Sequence, residues 1–459
     1  MAGARLDGAR RDRVRGPLRR ASSGVMRPPT LLPVLLVNFI GALGYSVVLP
    51  FLVFLVARLG GDAVVYGVLV AAYPAFQLVG APVLGRWSDR YGRRRVLLLS
   101  QAGTALAWLL FLVALWLPET PLALPGLPGL NLPLAAIFAA RALDGLTGGN
   151  VSVAQAYVAD ISTDADRSKH FGRLAVSGNV GFVAGPALAG VLGAVGMGER
   201  LPILVALGIS LAGTLVVALY LPESRHVTVP PALDSSGIRR VLGQEPRDCV
   251  RRGGDSPGVG AILRLPGVGY LLLVYLVLFL GFNLFYTAFP VHAVRGLEWE
   301  LPETGAFFSV LSLMMVVVQG PVLGRLGPRF GEVPLILVAN LILGTNFALL
   351  YWSGTGLTYA AAVLFAVGNG LMWPSFLSVL ARVAGTRHQG AVQGLGSSTG
   401  ALASIAGLLV GGLLYERIGP ATFLLAALLI ELAFVLCLRL PALLRECPPP
   451  AVAPAPGRD

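Results

Sequence analysis

Residues 82–92 read PVLGRWSDRYG and residues 321–331 read PVLGRLGPRFG, with seven of eleven positions identical at a constant offset of 239. Each copy closes a long apolar run with an end rich in glycine and arginine. A chain that places the same ending at equivalent points of two long stretches is built from two like halves. Working outward from both copies gives the same division: six apolar runs before a polar stretch over 222–266, and six after it. The first six fall at about 31–57, 63–86, 95–117, 133–158, 171–195 and 201–221. The second six fall at about 267–292, 303–325, 333–352, 356–380, 391–414 and 420–438. A helix needs about 20 residues to cross a hydrocarbon core. Lipid offers no partner to an exposed backbone amide, so runs of this length must be helices. The expected fold is an all-α membrane protein of 12 transmembrane helices in two six-helix halves, related by an axis along the membrane normal. Transport folds built this way hold the substrate site between the halves at mid-membrane.

Composition points the same way. Of 459 residues, 55% are hydrophobic and 13% charged, against about 25% charged in a soluble domain. The net charge of +12 is not read as a nucleic-acid footprint, because the basic residues sit at the ends of the apolar runs. With the N-terminus inside, the segments on that side carry 30 of the 35 Lys and Arg residues, and the outer loops carry only Arg58, Arg200, Arg295 and Arg417. The last, Arg141, lies within a span. The positive-inside rule therefore predicts cytoplasmic termini and a multi-pass protein of the cell (inner) membrane. The expected parts are a basic tail over 1–30, a first half over 31–221, a cytoplasmic linker over 222–266, a second half over 267–440 and a tail over 441–459. Cys249, Cys437 and Cys447 fit neither a metal site nor a disulfide framework. No cofactor, metal or nucleic acid is expected. The expected partners are the bilayer, a small-molecule substrate and protons, and the expected state is a monomer.

Gly85, Asp89, Arg90, Gly92 and Arg93, within GRWSDRYGRRR at 85–95, resemble the signature between spans two and three of the major facilitator superfamily. The resemblance implies that fold for nearly the whole chain and a cytoplasmic gate at these residues. Asp89 would cap a helix N-terminus and pair with arginine when the inside is closed; the second copy has Pro328 at that position. Span five carries Gly172, Gly181, Gly185, Pro186 and Gly190. This is similar to the antiporter motif of proton-driven drug exporters in the superfamily, with Ala189 where glycine is usual. Small residues at such spacings let a neighbouring helix come close, and the proline bends its own helix. The stretch 141–160 and the LPES at 221–224 look like the corresponding parts of the tetracycline-resistance-like drug:proton antiporters. That group often has a carboxylate in span one where this chain has Asn38.

Ionisable residues within spans are costly and are functional candidates by default. Arg141 and Asp144 are three apart in span four, on one helical face; Asp160 lies near the end of that span, and Glu431 lies in span twelve. Asp144 is expected to carry the proton, with Arg141 as its partner or as a contact for substrate charge; a static ion pair fixing helix packing is the competing reading. The expected cavity lining is Asn38 and Tyr45, Asn150 and Gln155, Asn283 and Tyr286, and Asn369 and Trp373. The function expected is proton-coupled antiport exporting drugs or similar amphipathic compounds. Transport of a sugar, organic acid or amino acid on the same fold is the alternative, and a non-transporting membrane protein the more remote one. No nucleophile–base pair, metal cluster or phosphate loop suggests an enzyme.

Overall fold

A computed structural model describes residues 31–122, 130–148, 150–162, 166–193, 200–224, 259–352 and 354–446. The expected tail over 1–30, most of the expected tail over 441–459 and most of the linker lie outside these residues. The described chain is helical. The first half comprises α1 (Leu31–Arg58), α2 (Ala63–Tyr91), α3 (Arg93–Ala114), α4 (Leu132–Thr147), α5 (Asn150–Ile161), α6 (Arg167–Gly193) and α7 (Arg200–Tyr220). The second comprises α8 (Val268–Arg295), α9 (Leu301–Phe330), α10 (Glu332–Leu349), α11 (Thr355–Gly385), α12 (Val392–Ile418) and α13 (Ala421–Arg445). Eleven helices of the described residues are long and apolar enough to cross a membrane. The remaining span is the fourth, which α4 and α5 make together. Leucines stand exposed at helical spacing on outer faces, as Leu211, Leu215 and Leu219 do on α7. Such faces are stable against hydrocarbon and costly against water.

Span four departs from the expected continuous helix over 133–158. It breaks at Gly148, where a second glycine follows and helix propensity is lowest short of proline. The Gly148 N–H turns back to the Gly145 carbonyl at 3.2 Å. The carbonyls released by the break find side chains: Ser100 of α3 donates to Thr147 O at 2.5 Å, and Gln77 of α2 donates to Gly148 O at 2.9 Å. A broken backbone at membrane depth survives only with such partners.

The two sequence copies fold alike. α2 runs to Tyr91 and α9 to Phe330, five residues past the expected ends of both spans. Each then turns through one glycine, Gly92 at φ +100° and Gly331 at φ +74°, straight into the next helix. These angles are open to glycine and strained for other residues. The 239-residue offset that aligns the copies also places Glu332 opposite Arg93. Arg93 Nε donates to Asp160 Oδ2 at 2.9 Å, and Arg382 Nη2 donates to Glu332 Oε1 at 2.5 Å. Both bonds join the start of the third span of a half to the end of its fourth, with the charges exchanged.

The halves meet along two crossings. At α6 and α9, a Cβ built on Gly190 would collide with the Gly305 backbone, and the reverse holds. Ser309 Oγ donates to Ala187 O nearby at 3.4 Å. At α2 and α12, a Cβ on Gly67 would lie 2.9 Å from Leu408 O and 3.3 Å from Gly412 Cα. Beyond it, Glu416 Oε2 accepts from the Ala63 N–H at 3.2 Å and from Arg295 Nη1 at 2.9 Å. One carboxylate of the second half thus caps the N-terminus of a helix in the first. All these contacts lie in the part of the bundle away from Leu31 and Glu446, where the described chain begins and ends.

Gly190→Leu is expected to force α6 and α9 apart and destabilise the protein by about 1–3 kcal/mol, the usual scale of overpacking. Gly172→Leu on the same helix, where a Cβ would meet open space, should be nearly neutral. Thermal unfolding of the two purified variants checks the contrast.

Candidate functional site

Between the halves lies a cavity of about 480 Å³. It takes residues 73–77 from α2, 178–183 from α6, 315–319 from α9 and 397–408 from α12. On each of these helices the glycine crossings come further from the termini, at Gly67, Gly190, Gly305 and Gly412. The crossings floor the cavity at that end. Asn179 and Ser397, which line it toward the other end, are exposed.

The wall is aromatic, with amides interspersed. Tyr45 and Tyr73 pack with ring centres 4.7 Å apart, and Phe182 reaches across to Tyr286 of the other half at 6.4 Å. Opposite them, Tyr275 stacks on Phe279 at 4.7 Å and Trp373 closes the group at 5.3 and 5.1 Å. Five carboxamides line the cavity: Gln77, Asn179, Asn283, Gln319 and Asn369. Asn283 Nδ2 donates to Phe279 O at 2.7 Å and to Ser404 Oγ at 3.1 Å, so its oxygen is the atom left for a ligand. α9 is wound as a π-helix over Val318–Val322, with Pro321 inside it. π segments recur at functional sites, and this one carries Gln319.

Arg141 and Asp144 stand behind the tyrosines. The Arg141 guanidinium carbon lies 5.0 Å from the Tyr73 ring centre and 5.9 Å from that of Tyr45. Its Nη1 is 3.5 Å from Asp144 Oδ2, and the Thr104 hydroxyl donates to Asp144. Arg141 is 2% exposed, and its Nε and Nη2 have no hydrogen-bond partner among the described residues. Neither residue touches the cavity directly; the Tyr45 and Tyr73 rings intervene. A cation held over two ring faces in a low dielectric is well stabilised, and a carboxylate beside it can exchange a proton only if one reaches it past those rings.

Of the expected cavity residues, the structure gathers Tyr45, Asn283, Tyr286, Asn369 and Trp373. It places Asn38 elsewhere. Asn38 Nδ2 donates to Leu174 O at 2.8 Å and Ser177 Oγ at 3.1 Å, a buried tie between α1 and α6. Gln155 is exposed on α5, off the cavity. Asn150 opens α5, and its side chain lies outside the described residues. Tyr73, Gln77, Phe182, Asn179, Tyr275, Phe279 and Gln319 were not foreseen. Glycine-rich α6 packs on α1 through Gly181 and Gly185 and on α9 through Gly190, with Pro186 buried between; Gly172 faces open space.

At the expected gate, Asp89 Oδ1 pairs with Arg93 Nη2 at 2.7 Å, and Arg93 Nη1 donates to Ser88 Oγ at 2.5 Å. Ser88 Oγ in turn donates to Gly85 O at 2.7 Å. Arg90 is exposed and lies over the Tyr91 ring. At α3 the cap comes from another carboxylate. α3 starts with three arginines, Arg93 to Arg95, unfavourable at a positive helix end. Glu223, beyond α7, supplies the carboxylate: its Oε1 accepts from the N–H groups of Arg93 at 2.7 Å and Arg94 at 3.3 Å. Ser224 Oγ donates to Asp160 Oδ2 at 3.1 Å, and Tyr157 Oη to Pro222 O at 3.2 Å. The 221–224 segment therefore ties the end of the half to its third and fourth spans.

The family model described as Major Facilitator Superfamily matches residues 34–407 and 271–458. The chain belongs to the major facilitator superfamily. It is a multi-pass membrane protein of that transporter superfamily, with the twelve spans in two six-helix halves. It is 26% identical over 397 residues to the class D tetracycline resistance protein of Salmonella ordonez, covering 85% of this chain and 91% of that one. It is 28% identical to solute carrier family 67 member A1 of Homo sapiens, covering 92% and 93%. Among solved structures it is similar to the human organic anion transporter MFSD10 (TETRAN), with a TM-score of 0.60 at 24% identity over 89% of this chain and 98% of that one. These major facilitator relatives are matched over nearly their whole length.

Two substitutions separate the packing residue from the lining residue. Asn38→Ala should cost about 1–3 kcal/mol for the lost buried hydrogen bonds and leave ligand affinity unchanged. Trp373→Ala should weaken binding of an aromatic ligand. Thermal unfolding and ligand titration on the same samples check both. Glu223→Ala should cost about 0.5–2 kcal/mol, the scale of a lost helix cap, while Glu223→Gln, which keeps an acceptor oxygen, should cost less; thermal unfolding again decides.

Proposed function

We propose that this protein exports small amphipathic compounds across the cell (inner) membrane in exchange for protons. The observation that carries the proposal is the central cavity between the halves, walled by aromatic rings and backed by the buried Arg141–Asp144 pair. Both termini are assigned to the cytoplasm, because 30 of 35 Lys and Arg residues belong to that side. The floored end then faces outward and the other end faces the cytoplasm, the arrangement that loads an exporter. The tetracycline resistance relatives and the multidrug resistance protein 2 of Bacillus subtilis, 25% identical over 84% of this chain, support a drug-like substrate.

In this mechanism Asp144 is the proton carrier. Substrate enters between the aromatic groups and displaces the Tyr45 and Tyr73 rings from Arg141. When the guanidinium and the carboxylate separate, Asp144 takes up a proton, and when they close again Asp144 releases it. The crossings at Gly190–Gly305 and Gly67–Gly412 open as the inner ends of the halves approach, and the chain works as a monomer. Asn38 takes no part in proton transfer, since an amide cannot carry one and both its hydrogen bonds are structural.

The five carboxamides in the wall favour a second reading, transport of a more polar metabolite on the same fold. Reconstitution distinguishes them. In liposomes with an internal pH dye, amphipathic aromatic compounds should drive proton movement and sugars or amino acids should not. Asp144→Asn should reduce that movement to the level of empty liposomes. Undiminished coupling in this variant would assign the proton to another group.

A further inference from the structure

None of the described residues lining the central cavity carries a charge. The charges nearest the cavity stand behind its wall as the Arg141–Asp144 pair, and the cation is the member packed on the lining rings. Arg141 lies against the rings of Tyr45 and Tyr73, which form part of the lining, and two of its three guanidinium nitrogens have no partner among the described residues. Asp144, 3.5 Å from the third, offsets part of that charge and does not line the cavity.

A cationic ligand entering this space would leave water and find no carboxylate in the wall. The carboxamides can donate and accept hydrogen bonds, but they supply no counter-charge. An ion desolvated without a partner keeps most of its penalty. Aromatic faces attract cations, yet five of the lining rings are already engaged. Tyr45 and Tyr73 hold Arg141, and Tyr275, Phe279 and Trp373 pack on one another with centres 4.7, 5.3 and 5.1 Å apart. A neutral or anionic aromatic ligand meets the opposite conditions: amide N–H donors, apolar ring contact and a positive charge nearby.

We infer that the cavity takes planar aromatic compounds that are neutral or anionic and discriminates against aromatic cations of the same shape. This rests on the cavity being the transport site and specifies the chemistry of what enters it. The test uses three naphthalene probes, bearing a carboxylate, a primary amide or an aminomethyl group, titrated by calorimetry into the purified full-length protein near neutral pH. The carboxylate and the amide should bind at least about tenfold more tightly than the ammonium, about 1.4 kcal/mol. Asn369→Asp, which keeps the side-chain shape and puts a carboxylate in the wall, should narrow or reverse that order. Equal or tighter binding of the ammonium by the wild-type protein overturns the inference, as does failure of all three probes to bind. An unchanged order in Asn369→Asp overturns the electrostatic cause. Binding is measured without a proton gradient, so selective binding with no proton movement in liposomes would uphold this selectivity and reject the exchange mechanism. Proton exchange driven only by ammonium compounds would do the reverse.

Discussion

Backbone touches backbone where Gly190 meets Gly305 and where Gly67 meets Gly412, and the cavity exists because of it. Lipid gives helices no hydrophobic reason to associate, so association in a membrane depends on close packing and hydrogen bonds. Two pairs of glycines let the halves meet backbone to backbone at one end. The same helices, rigid over about 1.5 Å per residue, then diverge toward the other end and enclose a space two turns further on. Larger residues at the crossings would separate the halves there and abolish the taper. The Glu416 carboxylate reinforces the closed end by capping α2 across the interface, where a helix N-terminus and an arginine both favour negative charge.

Buried charge follows a stricter rule. Each ionised group taken from water needs a partner close by, and the molecule answers in two ways. Where α2 turns into α3 the answer is a network: Arg93 is shared by Asp89, Asp160 and Ser88, with Glu223 and Ser224 closing it. At mid-membrane the answer is incomplete. Arg141 has one long ion pair and two ring faces. A fully satisfied group holds a structure still, whereas a group with spare donors beside a cavity can respond to what enters. The difference between the two arginines is the physical basis for the proposal that coupling resides at the second.

How much of this was legible depended on whether a feature is local. Apolar runs, the paired PVLGR ends and the skew of arginine along the chain are properties of single segments, and they fixed span number and two-fold organisation without reference to any contact. Tyr45, Asn283, Tyr286, Asn369 and Trp373 were legible because a polar or aromatic residue inside an apolar run has few other uses. Asn38 had the same look and a different fate, because its partners Leu174 and Ser177 are 136 and 139 residues away. The Glu223 cap was hidden for the same reason. The break in span four did leave a sign in Gly148 and its glycine neighbour; hydrophobicity carried the run through it, and only the side chains of Ser100 and Gln77 show how the freed carbonyls are kept.

The repeat also shows which part of its signature is structural. Both copies keep the glycine turn, at Gly92 and Gly331, and both keep an ion pair from the residue after it to the end of the half's fourth span. The pair is reversed in sign, Arg93 with Asp160 in one half and Glu332 with Arg382 in the other. Reversal preserves the attraction and changes its setting. Glu332 at a helix N-terminus is favoured by the dipole, whereas Arg93 in the same position is opposed by it. The second half therefore needs nothing more. The first half requires a carboxylate from outside the helix, and Glu223 provides it. The LPES segment after α7 in this sense answers the three arginines that open α3.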